Sequence, residues 1–499
     1  MNYISLHNNQ TIPFSTIPIL EYTEFLEEIV FNLMKEVGSH CVNYYGLEQG
    51  YKIRLICCIA HDKSNTILVT SSSVDTRQSL PSFTNHNLVF EKFEREIHEN
   101  FGVKYLDHPW LKPVRFPFNR ADQNSGIENY PFFSIDSEEL HEVGVGPIHA
   151  GIIEPGHFRF ICNGEQILHL EIQLGYQHRG IEPLFLHKKK LTQRNTLAEN
   201  IAGDSVVGHS MAFVNIWESL CNYSPGNNLI VARTIALELE RIAIHTGDLS
   251  AMCTDVAYQL GSAVFGRLRT PLINYFQIWC GNRLAKGLIR AGKTNFPLTQ
   301  AMALDLRNVL VEYEIDFEEM SDELFSLPSV LARFEKTGLL TNDLASTIGA
   351  VGMSARMSNL NRDIRASHPH DGYLEIQHKP IIKDLGDVYS RARIRKKEIN
   401  QSIDYIKRLT QNLTDTGPAE LYLSRPSPNA FAISLVEGWR GEICHCAITD
   451  EQGELIHYKI KDPSFHNWLA LAISVRNNEI SDFPISNKSF DLSYCGHDL

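Results

Sequence analysis

The chain opens with a segment of helical hydrophobic spacing, followed by strand-like segments. Residues 21–36 place apolar side chains at intervals of three and four, which predicts a helix. Residues 51–60 and 65–74 are rich in Ile, Leu and Val and predict two short strands. The pattern therefore predicts a small α/β domain at the start of the chain.

A polar, turn-rich stretch near 119–140 separates this domain from a longer region. The boundaries that we expect are 1–120 for the first domain, 121–140 for the linker and 141–499 for the second domain. The second region starts with a strand pair at 157–174, with a turn at Asn163-Gly164. Helical periodicity then predicts helices at 188–220, 227–252, 260–291, 297–313, 315–325 and 388–412. The end returns to strands at 429–439, 441–449 and 454–462, followed by a helix at 464–475 and an irregular tail.

Composition narrows the class of protein. The chain has 499 residues, of which 43% are hydrophobic, enough for two or more buried cores. Its net charge of -13 argues against nucleic acid as a partner. No apolar run approaches the ~20 residues of a membrane span, and the amino terminus lacks the pattern of a signal peptide. We therefore expect a cytoplasmic protein that serves a membrane only as a peripheral subunit.

The ten cysteines are scattered and form no Cys-x-x-Cys pair. Iron–sulfur clusters and structural zinc usually take thiolates from such closely spaced pairs. We therefore expect reduced core cysteines, and no cofactor bound by this chain. Cys444 and Cys446 flank His445 in a strand-like segment, where alternation explains their spacing better than a metal site does.

A charged stripe runs along the predicted helix 227–252. Glu238, Arg241, His245 and Asp248 follow one another at offsets of 3, 4 and 3, so they share one helix face. Because the surrounding positions are apolar, a buried ion-paired network is favoured over a solvated face. A structural and a catalytic use of this network stay open.

A second cluster lies at the turn after the predicted strand pair. His178 can exchange protons near neutral pH, Glu182 can relay them if its pKa is raised, and Arg179 can hold an anion or a carboxylate. Ordinary salt bridges are the alternative interpretation. Neither the Gly-rich dinucleotide fingerprint nor a phosphate-binding loop occurs in the chain.

Residues 94–102 (EREIHENFG), followed by His108-Pro109, resemble the signature of the smaller hydrophilic subunit of respiratory complex I, the 30 kDa subunit. The segment lies near the end of the first domain, as that family would have it. Its charges, Glu94, Arg95 and Glu96, are expected to form ion pairs where this domain docks on its neighbours.

The second region is similar to the 49 kDa subunit of complex I, and more closely to the large subunit of energy-converting nickel–iron hydrogenases. The resemblance implies an α+β fold, with a mainly helical hydrogenase-large-subunit-like domain that carries small sheets. The matching motifs are 146–151 (GPIHAG), 178–182 (HRGIE), the stripe 238–248, 281–283 (GNR), 386–391 (GDVYSR) and 437–442 (EGWRGE).

Four departures from the hydrogenase pattern concern the metal. Hydrogenases hold nickel and iron on an early Cys-x-x-Cys and a late Asp-Pro-Cys-x-x-Cys, because the metals need soft bridging thiolates. The four ligand positions hold Ala202, Ser205, Ser493 and Gly496 here, with Cys495 one place out of register. The resemblance therefore implies a subunit without the nickel–iron centre.

The quinone motif is also incomplete. The family pattern Gly-Pro-x-His-x-x-x-His keeps His149 but has Ile153 at the second histidine, and no tyrosine occurs near 202–204. His149 is thus the candidate for the loop nearest a quinone. At the old metal pocket, Glu182 and His178 are candidate proton relays with Arg179 beside them, and Asp204 and His209 would line the pocket.

The resemblance implies a hydrophilic-arm subunit that supports electron transfer, with quinone as candidate acceptor, coupled to ion translocation. Family-level association with NAD comes with it. The expected partners are an iron–sulfur small subunit, which would hold the cluster, and antiporter-like and H-subunit-like membrane subunits, on the cytoplasmic side of the inner membrane. The alternative is a non-redox coupling or structural subunit of an ion or bicarbonate transport complex.

Overall fold

The computed structural model describes residues 2–149, 153–411, 413–414 and 423–499. Residues 150 and 151 of the GPIHAG motif lie outside this set. The strands are β1 (Ile4–Leu6), β2 (Thr11–Pro13), β3 (Ile19–Leu20), β4 (Ser39–Gln49), β5 (Lys52–His61), β6 (Thr66–Asp75), β7 (Ser79–Pro81), β8 (Lys104–Leu106), β9 (His141–Val145), β10 (His157–Asn163), β11 (Gln166–Gln173), β12 (Ala430–Glu437), β13 (Glu442–Thr449) and β14 (Leu455–Lys461). The helices are α1 (Tyr22–Leu26), α2 (Glu91–Phe101), α3 (Ile181–His187), α4 (Leu191–Ala198), α5 (Val206–Leu220), α6 (Asn227–Asp255), α7 (Gln259–Cys280), α8 (Gln300–Leu324), α9 (Pro328–Phe334), α10 (Asn342–Thr347), α11 (Met353–Arg356), α12 (Ile364–Ser367), α13 (Val388–Gln411), α14 (Ser464–Ser474), α15 (Phe483–Phe490) and α16 (Tyr494–Asp498).

The first region is a sheet in the order β1-β6-β5-β4, with β3 parallel to β6 at its edge. The two predicted strands are confirmed as β5 and β6, and the predicted helix at 21–36 forms α1 followed by a π-helical turn and a 3-10 turn. Helices α1 and α2 cover one face of the sheet. The other face packs against β12 and β13, so both faces are buried. The predicted α+β fold class is confirmed.

A second sheet joins the two regions of the chain. Its order is β14-β13-β12-β2, and β2 comes from the first region, pairing antiparallel with β12. Side chains of Tyr45 and Ile56 in the first region share an apolar cluster with Ile433 and Cys444 in the second. The two regions are therefore held together by backbone hydrogen bonds and by a common core.

The second region is built around α6, whose side chains are buried along most of its length. Helices α7 and α13 pack along it, and α5 lies against β12 and β13. The predicted helices at 227–252 and 388–412 are confirmed, as are the three late strands and the helix after them. Helix α6 is thus the central helix of the second region, in contact with α5, α7 and α13.

The predicted helix at 188–220 is wrong as a single element, because the chain turns between α4 and α5. The guanidinium of Arg179 donates hydrogen bonds to the carbonyls of Asn200 and Ile201, and these contacts replace the helical partners of those carbonyls.

Three further boundaries differ from expectation. The helix predicted to reach 291 ends at Cys280, since Gly281 adopts a left-handed conformation with φ of 74°. The segments 297–313 and 315–325 form one helix, α8. The tail, predicted to be irregular, contains α15 and α16.

None of the helices in the described part of the chain is long and apolar enough to cross a membrane. All ten cysteines are free thiols, and each is buried except the half-buried Cys495. The expectation of reduced core cysteines is thus confirmed, and Cys444 and Cys446 alternate along β13 as predicted.

Candidate functional site

Two turns carry the four positions where the hydrogenase ligands would be. One lies between α4 and α5 and holds Ala202 and Ser205, and the other runs from the end of α15 into α16 and holds Ser493 and Gly496. Arg179 joins the turns, since one nitrogen of its guanidinium donates to the carbonyls of Ile201 at 2.8 Å and Cys495 at 2.9 Å. Arg179 therefore holds the two turns next to each other.

Arg440 lies in the turn between β12 and β13 and contacts both of these turns. Its guanidinium donates two hydrogen bonds to the Asp204 carboxylate, at 2.7 and 2.5 Å, and a third to the carbonyl of Asp491. It also stacks on Trp439, with 4.0 Å between the guanidinium carbon and the ring centre. Burial acts to lower the pKa of Arg440, but Asp204 outweighs burial and the pKa is raised. Sequence reasoning missed this residue, although the EGWRGE motif contains it.

A chain of hydrogen bonds runs inward beside these turns. His209 Nε2 lies 3.0 Å from the Asp462 carboxylate, and His209 Nδ1 lies 3.1 Å from His445 Nε2. His445 Nδ1 lies 2.8 Å from the hydroxyl of Tyr458. If His209 Nε2 donates to Asp462, then His209 Nδ1 accepts from His445 Nε2, and His445 Nδ1 accepts from the Tyr458 hydroxyl. With both rings neutral, each of these hydrogen bonds has one donor and one acceptor. Burial, and then the neighbouring His209, lower the pKa of His445, which fits a neutral ring.

The residues present do not fit a nickel–iron centre. A methyl group on Gly496 would lie 2.8 Å from both the carboxyl carbon and one oxygen of Asp462, so the carboxylate occupies the space that a ligand side chain would need. Two serines, an alanine and a glycine supply no thiolate. Burial raises the pKa of the neighbouring Cys495 to about 11, so its thiol stays protonated. Within the described ranges, no cluster of three or more His, Cys, Asp or Glu side chains is placed to hold a metal ion.

A pair of carboxyl groups lies where the late turn meets α6. Burial, reinforced by the neighbouring carboxylate of Asp248, raises the pKa of Asp491 to about 8. Asp248 accepts a hydrogen bond from Arg395 at 2.8 Å, and although burial opposes ionisation, Arg395 and His245 lower its pKa. When one of two adjacent acids is charged and the other is neutral, the pair holds a single proton. The arrangement can therefore bind and release a proton near neutral pH.

Asp204 and His209 lie at this site, whereas Glu182 belongs to another network. The Glu182 carboxylate accepts from the backbone N–H of Ile460 at 2.9 Å and from Lys459 at 3.1 Å. Lys459 also pairs with Glu96 of the first domain at 2.6 Å. Glu182 thus connects the turn after β11 to the junction between the two regions.

His178 and the acidic segment of the first domain lie near the same junction. His178 Nδ1 donates to the carbonyl of Asp498 at 2.8 Å, and burial lowers its pKa. Glu96 forms ion pairs with Lys459 and Arg115, as expected for a docking segment. Glu94 instead accepts hydrogen bonds from hydroxyl and backbone groups of residues 82–84 within its own domain.

The predicted stripe on α6 is buried and forms a network. His245 Nε2 lies 2.8 Å from the carboxylate of Glu398, which also accepts from Arg356 at 2.7 Å and from Arg365 at 3.0 Å. Arg241 lies 3.9 Å from the same carboxylate. We call this set the Glu398 hub. Burial acts to raise the pKa of Glu398, but the surrounding cations outweigh it and hold the pKa well below its usual range.

Glu238 extends the hub along α6. Its carboxylate accepts from the hydroxyls of Tyr373 and Ser402 and lies 3.4 Å from Arg241. Burial would raise its pKa, but Arg241 and then Arg365 lower it. The spacing of charges along the sequence predicted the stripe, because its residues lie on one helix. Its partners lie on α11, α12 and α13, and no sequence pattern connects them to the stripe.

His149 lies on an exposed loop. Its Nε2 is 2.8 Å from the carbonyl oxygen of Gly156, and its ring is 5.8 Å from that of Phe158. Ile148 is 82% exposed and Ile153 is 41% exposed, and the residues between His149 and Ile153 lie outside the described set. The loop presents apolar side chains rather than a second histidine.

Comparison with known proteins identifies two families along the chain. Residues 19–123 match the 30 kDa subunit of respiratory-chain NADH dehydrogenase, and residues 255–428 match its 49 kDa subunit.

Among curated proteins, hydrogenase-4 component G of Escherichia coli (strain K12) is 28% identical over 387 residues, covering 78% of this chain and 67% of that protein. Formate hydrogenlyase subunit 5 of the same strain is also 28% identical, covering 80% and 74%. An archaeal membrane-bound sulfane sulfur reductase structure shares the fold, with a TM-score of 0.68 at 18% identity over 74% of this chain and all of that one.

Proposed function

We propose that this chain, a fusion of the 30 kDa and 49 kDa domains of complex I, is a hydrophilic-arm subunit of a membrane-bound complex related to complex I and the hydrogenases. It supports electron transfer coupled to ion translocation without a nickel–iron centre of its own. The observation that supports this proposal is the pair of turns, where the four positions that resemble hydrogenase ligand positions carry no thiolate and lie beside carboxyl groups and histidines.

The partner subunits that we propose are inferred from the proteins to which this chain is similar. Hydrogenase-4, formate hydrogenlyase and NADH-quinone oxidoreductase subunits are all similar to this chain. We therefore propose an iron–sulfur small subunit as the electron carrier, and antiporter-like and H-subunit-like membrane subunits as the ion pathway, with this chain on the cytoplasmic side. Quinone is the proposed acceptor, and His149 marks the loop nearest to it.

The chemistry assigned to the turns is proton exchange. The Asp491 carboxyl holds a proton beside the Asp248 carboxylate, and Arg440 lies 3.8 Å from the Asp491 carboxyl while it pairs with Asp204. Movement of the 491–499 turn toward Arg440 would favour ionisation of Asp491, and movement away would favour protonation. Asp204 is 37% exposed at its side chain, which gives the released proton a route outward.

Glu182 and His178 are proposed to connect this site to the first domain. The path runs from Glu182 through Lys459 to Glu96 and Arg115, all within ion-pair distance. Such a path transmits a displacement of charge between the two regions without a cofactor. His178 lies at the start of this path, and its hydrogen bond to the Asp498 carbonyl connects the path to the 491–499 turn.

The second candidate is a non-redox coupling or structural subunit of an ion or bicarbonate transport complex. Two sequence features favour it: Ile153 replaces the second histidine of the quinone motif, and all four thiolate positions are changed. Purification of the assembled complex separates the two. A small subunit with bound iron and sulfide supports the redox proposal, and a complex without one supports transport.

The proton-holding role of Asp491 is tested by infrared difference spectroscopy on the purified protein at about pH 6 and about pH 10, on either side of the expected pKa. We expect several protonated-carboxyl C=O bands that disappear at high pH, because the pKa values of Glu94 and Glu240 are also raised, to about 7 and about 8. One of these bands should be absent in Asp491→Asn and present in the control Asp482→Asn, because Asp482 pairs with Arg333 at the surface. A spectrum of Asp491→Asn that matches that of the native protein would remove Asp491 from the mechanism.

A further inference from the structure

A cavity of about 490 Å³ lies between the first and second regions, and His497 at the end of the late turn is one of the residues that line it. Helix α2 and the segment 109–114 form one wall, and β11 and α14 form the other. Its volume falls within the range of small-molecule sites, about 300–1,000 Å³. The proposed function makes no use of this cavity.

The walls are mainly apolar. Leu111, Leu174, Leu469 and Ala472 line the cavity together with the ring of Trp468. Such a surface favours an aliphatic body over a fully polar ligand, because burial of apolar area is the main source of affinity in sites of this kind.

The acidic side chains at the wall are already paired. Glu91 accepts hydrogen bonds from Arg95 and from the indole N–H of Trp110. Glu171 accepts from Lys112 and from the backbone N–H of Phe133. Neither carboxylate is therefore available to a cationic ligand.

Lys92 lies at this wall and forms no ion pair with any described residue. Its Nζ lies 3.4 Å from Nε2 of His497 and 5.8 Å from the ring centre of Phe465. His497 Nδ1 is 2.9 Å from the Asp498 carboxylate, which leaves Nε2 as the acceptor that faces Lys92.

The charged groups around Lys92 are compatible with a bound anion. Burial lowers the pKa of Lys92 to about 7, Arg95 and Arg115 reinforce this shift, and Glu91 and Asp498 oppose it. Burial lowers the pKa of His497 as well, so that ring is neutral and does not compete for an anion. An incoming carboxylate would supply the opposite charge that Lys92 lacks.

We infer that this cavity binds a small amphipathic carboxylate of the fatty-acid class, whose carboxylate pairs with Lys92 and whose chain packs against Leu174, Trp468 and Leu469. Arg476, exposed and without an ion-pair partner in the described structure, lies at the same cavity and adds positive charge at the wall. The ligand would bridge the two regions of the chain and hold them in one relative position.

Binding is tested by calorimetry on the full-length chain, with decanoate as the probe and decanol as its neutral analogue. We expect decanoate to bind, and Lys92→Met to weaken it at least about tenfold while decanol binding stays unchanged, because methionine keeps the apolar stem and loses the charge. Lys92→Arg should retain decanoate binding. Lys189→Met, a change at an exposed lysine that pairs with Glu454, serves as the matched control.

Unchanged decanol binding in Lys92→Met also shows that this variant is folded. Three outcomes would overturn the inference: no decanoate binding to the native chain, equal affinity for decanoate and decyltrimethylammonium, or undiminished decanoate binding in Lys92→Met. None of these results bears on the Asp491 site, whose infrared band is measured without the probe.

Discussion

The Glu398 hub and the Asp491–Asp248 pair both meet helix α6, yet their acids behave in opposite ways. Glu398 has two arginines and a histidine within hydrogen-bond distance, and they hold its pKa well below the usual range. Asp491 has another carboxylate as its neighbour, and its pKa rises to about 8. Desolvation acts to raise the pKa of both acids, so the charge of the neighbours decides whether an acid keeps its proton.

This difference separates a structural region from a titratable one. In the hub, each charge has opposite charges beside it, and removal of one leaves several groups buried without compensation. At the turns, a proton can be gained or lost while the pairing of Asp248 with Arg395 is kept. We therefore assign a structural role to the hub and propose proton exchange at the turns.

The largest effect is expected at the hub. Glu398→Gln removes the charge that Arg356, Arg365 and His245 share, and should lower the free energy of unfolding by about 3–5 kcal/mol. Chemical denaturation followed by circular dichroism measures this. Glu314→Gln, at a half-exposed pair with Lys407, should change it by less than about 1 kcal/mol. Equal effects for the two variants would contradict the assignment of the hub.

A smaller effect is expected from filling the space at the turns. Gly496→Ala places a methyl group 2.8 Å from the Asp462 carboxylate and should destabilise the fold by about 1–3 kcal/mol. Gly226→Ala is the control, because no atom lies within 4 Å of the added carbon and φ is -69°. If Gly496→Ala is as stable as the control, Asp462 does not occupy the ligand space.

A pH-dependent effect is expected at Asp491. Its pKa in the folded chain, about 8, lies above the ordinary value of 3.8, so folding retains a proton between these two pH values. Stability from this group is thus full below about pH 4 and is lost as pH rises to about 8. Asp491→Asn should therefore become progressively more stable relative to the native chain as pH rises through this window. If the free energy of unfolding changes with pH in the same way in both proteins, the pKa of Asp491 is not raised in the folded chain.

The smallest effect on stability is expected at Glu182. Glu182→Gln keeps an acceptor for the N–H of Ile460 and loses only the ion pair with Lys459, which retains Glu96, so the loss should be below about 1 kcal/mol. If Glu182 relays protons, the same variant should abolish ion-coupled activity in the assembled complex. Unchanged coupling would leave Glu182 as a structural contact.

Local sequence patterns predicted the elements that depend on local periodicity. Helix α6 and strands β12 to β14 follow from their apolar spacing. Strand β4 was missed, because it is buried on both faces and shows no alternation. The break between α4 and α5 depends on Arg179, a residue from another part of the chain, so no local pattern reports it.

The candidate site was predictable where a motif marks it. Asp204, His209 and the four changed ligand positions lie at the turns that the resemblance indicated. The hub partner Glu398 and the bridging Arg440 come from distant segments, and their roles depend on contacts that form only on folding. A single sequence gives the charges of these residues but not their neighbours, and the neighbours set the pKa values.

Elemental analysis of the purified, assembled complex shows whether the turns hold protons in place of a metal. We expect no nickel above background, with any iron accounted for by a separate small subunit. One nickel per copy of this chain would contradict it.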